Sequence, residues 1–421
     1  KWNRDSEADF LTNTYLQDEH AAFSPRHQMN DGGANLDQIT AQFDAIVPLN
    51  DRTRLDYGAK TDQTFDHTWI DVWIGTPQTG GAVLDTGMTN DYRITSSINA
   101  VYGNLSHRFN EKWSIQGGLR FEQTYYNVEL RGKDRSFGYR YPDGVDNLAK
   151  ALFPAAYLVR RWEGKRELQI NFSRKISRPR FWQVMPVLGS NDSRNARIGN
   201  PALAPELSNL AEVNHLLPFL GDKATWFTSL FGRYTEDVIT NYTAPMPGDS
   251  SILLATFVNG SSSYGGGWEN ILKYETGQGL QLTVSTLLQY QDIGLDAAQG
   301  ARRNSGFNME AKAMVGYRFR KDLVVQVNGE YEGPRILPQG RSMAQYGMDV
   351  SANYDISKSL SAVLAVNDVF FPRRWGQVLD TPDLHQESFR RREMRNVRVT
   401  FTWKFGQQDA SLFRRRQQQR R

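Results

Sequence analysis

Hydrophobic and polar residues alternate strictly from Val397 to Phe405, where the sequence reads VRVTFTWKF. Valine, phenylalanine and tryptophan take every second position, and arginine, threonine and lysine take the positions between them. Because successive side chains of a β-strand point to opposite faces, this run predicts a strand with one apolar, aromatic face and one hydrophilic face. The same pattern recurs about sixteen times along the chain, with short turns and long polar loops in alternation.

Seven short turn signals separate pairs of alternating runs, and each pair therefore predicts a β-hairpin. The turns are Asn50-Asp51-Arg52, Asn110-Glu111-Lys112, Glu163-Gly164-Lys165, Gly221-Asp222-Lys223, Gly277-Gln278-Gly279, Arg320-Lys321-Asp322 and Ser357-Lys358-Ser359. The predicted strand pairs are 36–48 with 53–66, 93–108 with 113–130, 147–161 with 166–177, 206–219 with 224–240, 255–275 with 280–293, 306–319 with 323–334, and 342–355 with 360–371. One strand at 8–17 precedes the hairpins and one at 388–405 follows them, which gives sixteen predicted strands.

Long polar segments connect the hairpins, and only the connection near 335–341 is short. The long segments are 18–35, 67–92, 131–146, 178–205, 241–254, 294–305 and 372–387. Barrels of the Gram-negative outer membrane have short periplasmic turns and long external loops, and they cross the bilayer with tilted strands of about 9–11 residues. The chain is therefore predicted to be all-β, an antiparallel transmembrane β-barrel with its turns and both termini in the periplasm. An open soluble sheet of this size would need protected edges.

Composition agrees with a barrel and adds a division of the chain. The mean hydropathy is −0.58, and no run approaches the roughly 20 apolar residues of a membrane helix. The chain has 421 residues, no cysteine and a net charge of +4. Residues 1–405 are assigned to the barrel and residues 406–421 to a basic periplasmic tail. The tail is interpreted as solvated, with no nucleic acid as partner.

The segment from Leu168 to Glu206 departs from simple alternation. A strand ends in Ser177-Arg178-Pro179, where proline removes a donor from the strand ladder. After a loop of more than twenty residues, Gly199-Asn200-Pro201 and Ala204-Pro205-Glu206 lead the chain into the next strand. The prolines fix the backbone where the loop re-enters the sheet.

These elements resemble the TonB-dependent outer-membrane receptor family, particularly its branch of outer-membrane β-barrel family proteins. There a strand ending in S-R-x-x-x-R-P, an F/Y-W pair and a later G-N-P-x-L-x-P-E recur in this order. The matching residues include Arg178, Pro179, Trp182, Gly199, Asn200, Pro201, Pro205 and Glu206. In addition, Val366-Asn367-Asp368-Val369-Phe370 resembles the V-N-D-[IVL]-F of the penultimate strand, and the terminal TFTWKF resembles the closing strand.

The resemblance implies energy-coupled uptake of a nutrient, with a plug domain and TonB as partners. Such receptors have about 22 strands and a plugged lumen, whereas sixteen strands are predicted here, without a recognisable plug or TonB box. The chain also begins without a signal peptide. It is therefore interpreted as the C-terminal barrel portion of a 22-stranded receptor. The alternatives are a complete porin-like channel, since about 16–18 strands enclose an aqueous pore, and a structural barrel that anchors a surface lipoprotein or other co-assembled chains.

No residue pattern predicts catalysis or a cofactor, so the chain is predicted to be a transport protein embedded in outer-membrane lipid and not an enzyme. The six histidines show no metal-ligand spacing. Four aspartates near one strand could bind calcium, but a solvated loop is the preferred interpretation: Asp56, Asp62, Asp66 and Asp71. Four tryptophans are assigned to external loops, where they could stack on flat ligands: Trp69, Trp73, Trp182 and Trp375.

The hydrophilic strand face is predicted to line the lumen and to be the functional surface. In a receptor it would contact the plug or the substrate, and in a channel it would set selectivity. A third interpretation is that these residues only keep the lumen wet. The candidates are Arg120, Glu122, Arg174, Glu310, Lys312, Arg318, Glu330 and Arg398.

Overall fold

The structure is a computed structural model. It describes residues 2–14, 27–75, 81–131, 133–186, 189–192, 194–277, 279–370, 373–382, 384–391 and 395–405. The predicted basic tail at 406–421 lies outside the described residues.

Strands make up most of the described chain. In chain order they are β1 (Trp2–Thr14), β2 (His27–Asn50), β3 (Thr53–Gly75), β4 (Ala82–Leu84), β5 (Asn90–Arg108), β6 (Trp113–Arg131), β7 (Arg135–Tyr141), β8 (Leu152–Arg161), β9 (Glu167–Ser177), β10 (Gly189–Asp192), β11 (Asn195–Arg197), β12 (Glu206–Phe219), β13 (Ala224–Glu236), β14 (Ile239–Met246), β15 (Asp249–Asn259), β16 (Ser262–Glu275), β17 (Leu280–Gly294), β18 (Arg303–Arg320), β19 (Leu323–Glu332), β20 (Ile336–Leu337), β21 (Gly340–Ser342), β22 (Gln345–Asp355), β23 (Leu360–Asn367), β24 (Trp375–Thr381), β25 (Leu384–Arg390) and β26 (Asn396–Trp403). One short helix, α1 (Phe181–Val184), and three 3-10 turns, Val145–Ala151, Glu163–Lys165 and Ala297–Gln299, complete the regular structure of this part of the chain.

Sixteen of these strands form one antiparallel meander, in which each strand pairs with the next of the sixteen along the chain. They are β1, β2, β3, β5, β6, β8, β9, β12, β13, β16, β17, β18, β19, β22, β23 and β26. Each of the seven predicted turns connects two of these strands at one end of the sheet, which we call the turn end, and the long connections lie at the opposite loop end. The predicted fold class is confirmed. In hydrocarbon every backbone N–H and C=O needs a partner, and such a meander supplies one at every internal strand.

Several predicted boundaries need correction. The loops at 18–35 and 67–92 are shorter than predicted, because β2 begins at His27 and β3 continues to Gly75. The predicted strand 255–275 is two strands, β15 and β16, separated at Gly260, where an added Cβ would collide with the carbonyl oxygen of Gly294. The predicted strand 388–405 likewise divides into β25 and β26.

The outer face of the meander is apolar. Phe307 on β18 is 69% exposed, and Phe401 and Trp403 on β26 are 68% and 69% exposed. Their exposure suits a wall whose outer side contacts lipid, since alternate residues of a membrane-spanning strand face lipid and lumen. The described residues contain no pairing between β26 and β1. No helix in the described part of the chain is long and apolar enough to cross a membrane.

The loops at the loop end carry strands of their own. β4 and β7 extend the large sheet, and the other eight short strands form two sheets of four, β10-β11-β15-β14 and β20-β21-β24-β25. β11 pairs in parallel with β15, so the loop after β9 joins the loop between β13 and β16. The side chain of Gln339 connects the two small sheets, because it donates to the Thr243 carbonyl at 2.8 Å and accepts from the Thr243 amide at 2.7 Å.

Candidate functional site

An ion-pair cluster on β6 holds the start of the loop that follows β9. Pro179 ends the strand, and the preceding Arg178 turns towards β6. Its Nη2 donates to Glu122 Oε2 at 2.5 Å and to Thr124 Oγ1 at 2.8 Å. The other carboxylate oxygen of Glu122 accepts from Arg120 Nε at 2.5 Å. The Glu122 side chain is only 12% exposed, and two guanidinium groups compensate its charge.

The glycine and asparagine of the family motif fasten this loop to α1 and to β15. The Gly199 amide donates to the Met185 carbonyl at 2.8 Å, and the Asn200 amide donates to the Gln183 carbonyl at 2.7 Å. A Cβ at position 199 would collide with the Met185 backbone, so only glycine fits there. Asn200 Nδ2 donates to the Phe257 carbonyl at 2.9 Å. The motif therefore joins two loops that are far apart in the sequence.

The second half of the motif adds an apolar contact and a carboxylate. Leu203 is 2% exposed and packs with Val184 and Phe257. Glu206 Oε2 accepts from the Ile239 amide at 2.8 Å. These contacts fix the point at which the loop re-enters the wall as β12.

The two prolines and the tryptophan of the motif pack within the loop. Pro179 and Pro205 are buried. Trp182 lies on α1 rather than in an irregular loop, is 49% exposed, and meets Phe257 edge-on with ring centroids 4.9 Å apart. Half of its surface thus stays open to solvent.

The loop after β9 packs against the wall through Met185. This residue is 6% exposed and forms a buried cluster with Tyr92, Ile94, Val128 and Leu130 of β5 and β6. The last two residues fall in the same row of β6 as Glu122, because residues two apart in a strand share a face. The loop therefore folds inward over the lumenal face and not outward into solvent.

A half-buried tyrosine pair borders the same region on β6 and β7. The rings of Tyr126 and Tyr139 stack with centroids 5.6 Å apart. Burial raises the pKa of Tyr139 to about 12, so its hydroxyl stays protonated at neutral pH.

A second ion-pair cluster lies on β19 and β22, and sequence reasoning missed two of its members, Arg373 and Asp349. The Arg373 guanidinium donates to both carboxylate oxygens of Asp349, at 3.2 and 3.1 Å, and to Glu330 Oε1 at 3.1 Å. Gly347 makes room for this guanidinium, since a Cβ there would overlap it. Asp368 of the V-N-D motif donates its backbone amide to Asp349 Oδ1 at 2.7 Å. Gly347, two residues before Asp349 in the same lumenal row, was the signal in the sequence that could have indicated this site.

The strand registers place most lumenal candidates in the inner rows. Lys312 pairs directly with Glu330 across β18 and β19. Phe307 and Met309, which occupy the alternate row of β18, are exposed on the outer face. The candidates in the inner rows are Arg120, Glu122, Glu310, Lys312, Arg318, Glu330 and Arg398.

Arg174 differs from the other lumenal candidates. The ladder between β9 and β12 has no register shift, so Arg174 falls in the row of Ile170 and Phe172. These two residues are 46% and 41% exposed on the outer face. The strict two-residue period of the strand therefore assigns Arg174 to the outer row.

The predicted loop tryptophans and aspartates also change place. Trp69 and Trp73 lie on β3, not in a loop, and Trp375 begins β24. Asp62 forms an ion pair with Lys60 at 2.7 Å across neighbouring positions of the same strand. Among the described residues no group of three or more His, Asp or Glu side chains is arranged to hold a metal ion.

A wide, open cavity lies along the inner side of the wall at the turn end. Its volume is about 1130 Å³. The lining side chains include Arg54, Arg108, Gln116, Tyr157, Arg161 and Gln169. Side chains of this kind suit a hydrated lumen.

An apolar outer face, a charged inner face and loops that fold inward at one end together define a transmembrane β-barrel of the outer-membrane type. A sequence model of the outer membrane protein beta-barrel family matches residues 1–403. The chain belongs to this family. Among curated proteins, no sequence matches it.

Solved structures with a similar fold are outer-membrane transporters and receptors. The copper transporter OprC is 11% identical with a TM-score of 0.60, and the match covers 96% of this chain and 65% of OprC. The ferric yersiniabactin uptake receptor FyuA from Yersinia pestis is 12% identical with a TM-score of 0.58, covering 96% of this chain and 62% of FyuA. The ferripyoverdine receptor of Pseudomonas aeruginosa is 14% identical with a TM-score of 0.57, covering 96% and 54%. The chain thus spans less than two thirds of the length of these proteins, and the likeness shows the fold.

Proposed function

We propose that the chain is the barrel part of an outer-membrane receptor that takes up a nutrient by energy-coupled transport. In this proposal the plug domain and TonB are its partners, the turn end and both termini face the periplasm, and the protein is not an enzyme. The observation that carries the proposal is the loop after β9, which folds onto the lumenal face and is fastened there by the Arg178–Glu122 ion pair. Such a loop narrows the external opening, as is expected of a receptor that admits a selected substrate.

Conductance measurements test this proposal directly. The full-length protein would be extracted from outer membranes and inserted into planar lipid bilayers in potassium chloride. A receptor with a blocked lumen is expected to show no steady ion current. A stable, ohmic current from the intact protein would overturn the proposal and establish a passive channel.

A passive channel is the second candidate, because sixteen strands and the cavity of about 1130 Å³ fit an aqueous pore. Intact mass with N-terminal sequencing of the extracted protein separates the two. A species well above 48.0 kDa with plug sequence upstream favours the receptor. A species of that mass beginning at Lys1 favours the channel, and co-purifying surface chains would favour an anchoring role.

A further inference from the structure

A groove of about 590 Å³ lies on the outer face of the wall, where β2, β3, β5 and β6 run side by side. We call it the outer groove. Ala41 and Ala59 leave space at its floor, because their neighbours in the outer rows are much larger. Phe43 is 62% exposed and Val101 is 56% exposed at its sides, and Phe121 completes the rim. The volume falls within the range of about 300–1,000 Å³ that is usual for small-ligand sites.

A cluster of polar side chains borders the groove on the side of the loop end. This outer polar cluster consists of Thr61, Gln63, Ser97, Asn99 and Gln123. Thr61 Oγ1 donates to Asn99 Oδ1 at 2.7 Å, and Gln63 Nε2 donates to Thr61 Oγ1 at 2.7 Å and to Ser97 Oγ at 2.8 Å. Asn99 Nδ2 donates to Gln123 Oε1 at 3.1 Å. Nearer the turn end the same outer rows carry mainly apolar side chains, such as Leu105 and Leu119.

The height of the cluster places it at the edge of the lipid hydrocarbon. Gln123 lies about ten residues from the start of β6, and a strand that rises roughly 3.3 Å per residue and tilts by about 40° climbs about 25 Å over that length. The apolar band of an outer-membrane barrel is about 25 Å tall. The outer groove therefore opens among acyl chains, and the outer polar cluster meets the level at which the chains join their headgroups.

The cluster offers both a donor and an acceptor to a ligand. Among the described residues, the Gln123 amide nitrogen and the Gln63 carbonyl oxygen have no hydrogen-bond partner. At this level an unsatisfied amide is costly. The ester linkages of a phospholipid can only accept hydrogen bonds. An amide-linked, hydroxylated acyl chain both donates and accepts, so it complements the two exposed groups.

We propose that the outer groove binds an acyl chain of a glycolipid whose hydroxylated chains are joined to an amino sugar by amide bonds. The outer polar cluster holds the linkage, with Gln123 donating to its carbonyl and Gln63 accepting from its N–H or hydroxyl. The groove thus fixes one lipid of the loop-side leaflet against β2, β3, β5 and β6. This proposal concerns the outer surface, and its tests read lipid binding, not transport.

Filling the groove tests the acyl-chain site. The full-length protein and its Ala59→Phe and Ala313→Phe variants would be extracted in mild detergent, and bound hydroxy fatty acids would be quantified by mass spectrometry. Ala313 is the matched control, because it is an outward alanine at similar depth on β18, far from the groove. We expect A59F to lose bound hydroxy fatty acid that wild type and A313F retain. Equal retention by all three proteins, or loss of a co-purified protein without loss of lipid, would overturn the proposal.

Removing the donor and the acceptor tests the linkage site. The Gln63→Leu/Gln123→Leu variant would be compared with wild type in nanodiscs that contain either lipid A or phosphatidylethanolamine, with bound lipid counted by native mass spectrometry. Heat-modifiable gel migration shows that both proteins are folded. We expect wild type to retain lipid A in preference to phosphatidylethanolamine, and the variant to lose this preference. Equal binding of the two lipids by wild type would show that no glycolipid site exists.

Discussion

The two arginines that contact Glu122 differ in their number of hydrogen bonds and in their exposure. Arg178 makes three hydrogen bonds to Glu122 and Thr124, and its side chain is 22% exposed. Arg120 makes one bond to the same carboxylate and is 35% exposed. A charged hydrogen bond in a partly buried site contributes more than an exposed one, so Arg178 is expected to carry most of the fastening of the loop.

Replacing Arg178 by alanine should therefore release the loop after β9. We expect a loss of about 1–3 kcal/mol in local stability, because Glu122 keeps Arg120 but Thr124 and the loop lose their partner. Hydrogen exchange of peptides that contain Trp182 and Leu203 would measure this loss. Arg120→Ala is the control and should expose these peptides less. Similar protection in the two variants would contradict the assignment.

A second prediction at the scale of a single residue concerns the space around Gly199. Gly199→Ala places a Cβ against the Met185 backbone, and overpacking of this kind costs about 1–3 kcal/mol. Faster proteolysis within residues 178–205 of the folded barrel would report it. Gly144→Ala is the matched control, since that glycine has an extended backbone and nothing within 4 Å of an added Cβ. Unchanged proteolysis of G199A would show that the contact is not tight.

At the scale of the strand, a charged side chain should destabilise the barrel in an outer row, whereas a charge in an inner row should matter little to stability. Ala313→Arg puts a charge on the lipid face of β18 and should cost roughly 2–4 kcal/mol if position 313 lies near mid-membrane. Lys312→Ala, one residue away on the inner row, should be mild. Denaturant titration of the barrel refolded into lipid vesicles measures both. Equal effects would show that the two faces are wrongly assigned.

The sixteen strands of the meander could be predicted, apart from their boundaries, because their signals are local. Alternation and a following turn are both contained within about twenty residues, as in β5 and β6 around Asn110. The loop strands could not be predicted in this way. β11 reaches β15 across fifty-eight residues, as in the pair Asn195 and Leu253, and no local pattern encodes that pairing.

The candidate site shows the same limit. Arg178 was found only through the resemblance to a family motif, and its partner Glu122 is fifty-six residues away. Arg373 approaches Asp349 from a connecting segment whose polar composition resembles any exposed loop. The two-residue period of a strand tells which face of the wall a side chain occupies. Which loop residue that side chain contacts depends on tertiary packing and cannot be derived from the period.

For the whole molecule, the linked loops at one end and the short turns at the other define a direction. Gln339 joins the two small loop sheets at Thr243, and Gln386 donates to Asn195 at 2.9 Å between the same two sheets. The two small sheets of the loop end therefore form one connected layer, whereas the turn end consists of short turns, two of which are joined by the Lys165–Asp222 ion pair at 2.7 Å. The proposed orientation puts the connected layer on the cell surface.

Because the chain has no cysteine, a thiol reagent would label only a cysteine that is introduced by mutation, and such labelling can test this orientation. Ser250→Cys places a thiol on an exposed residue of β15, and Glu111→Cys places one on an exposed turn. Both substitutions lie in solvent, so neither should disturb folding. A membrane-impermeant maleimide added to intact cells is expected to label S250C and to leave E111C unlabelled until the outer membrane is permeabilised. Labelling of E111C alone on intact cells would reverse the orientation and, with it, the periplasmic assignment of the turns and the expected side of contact with TonB.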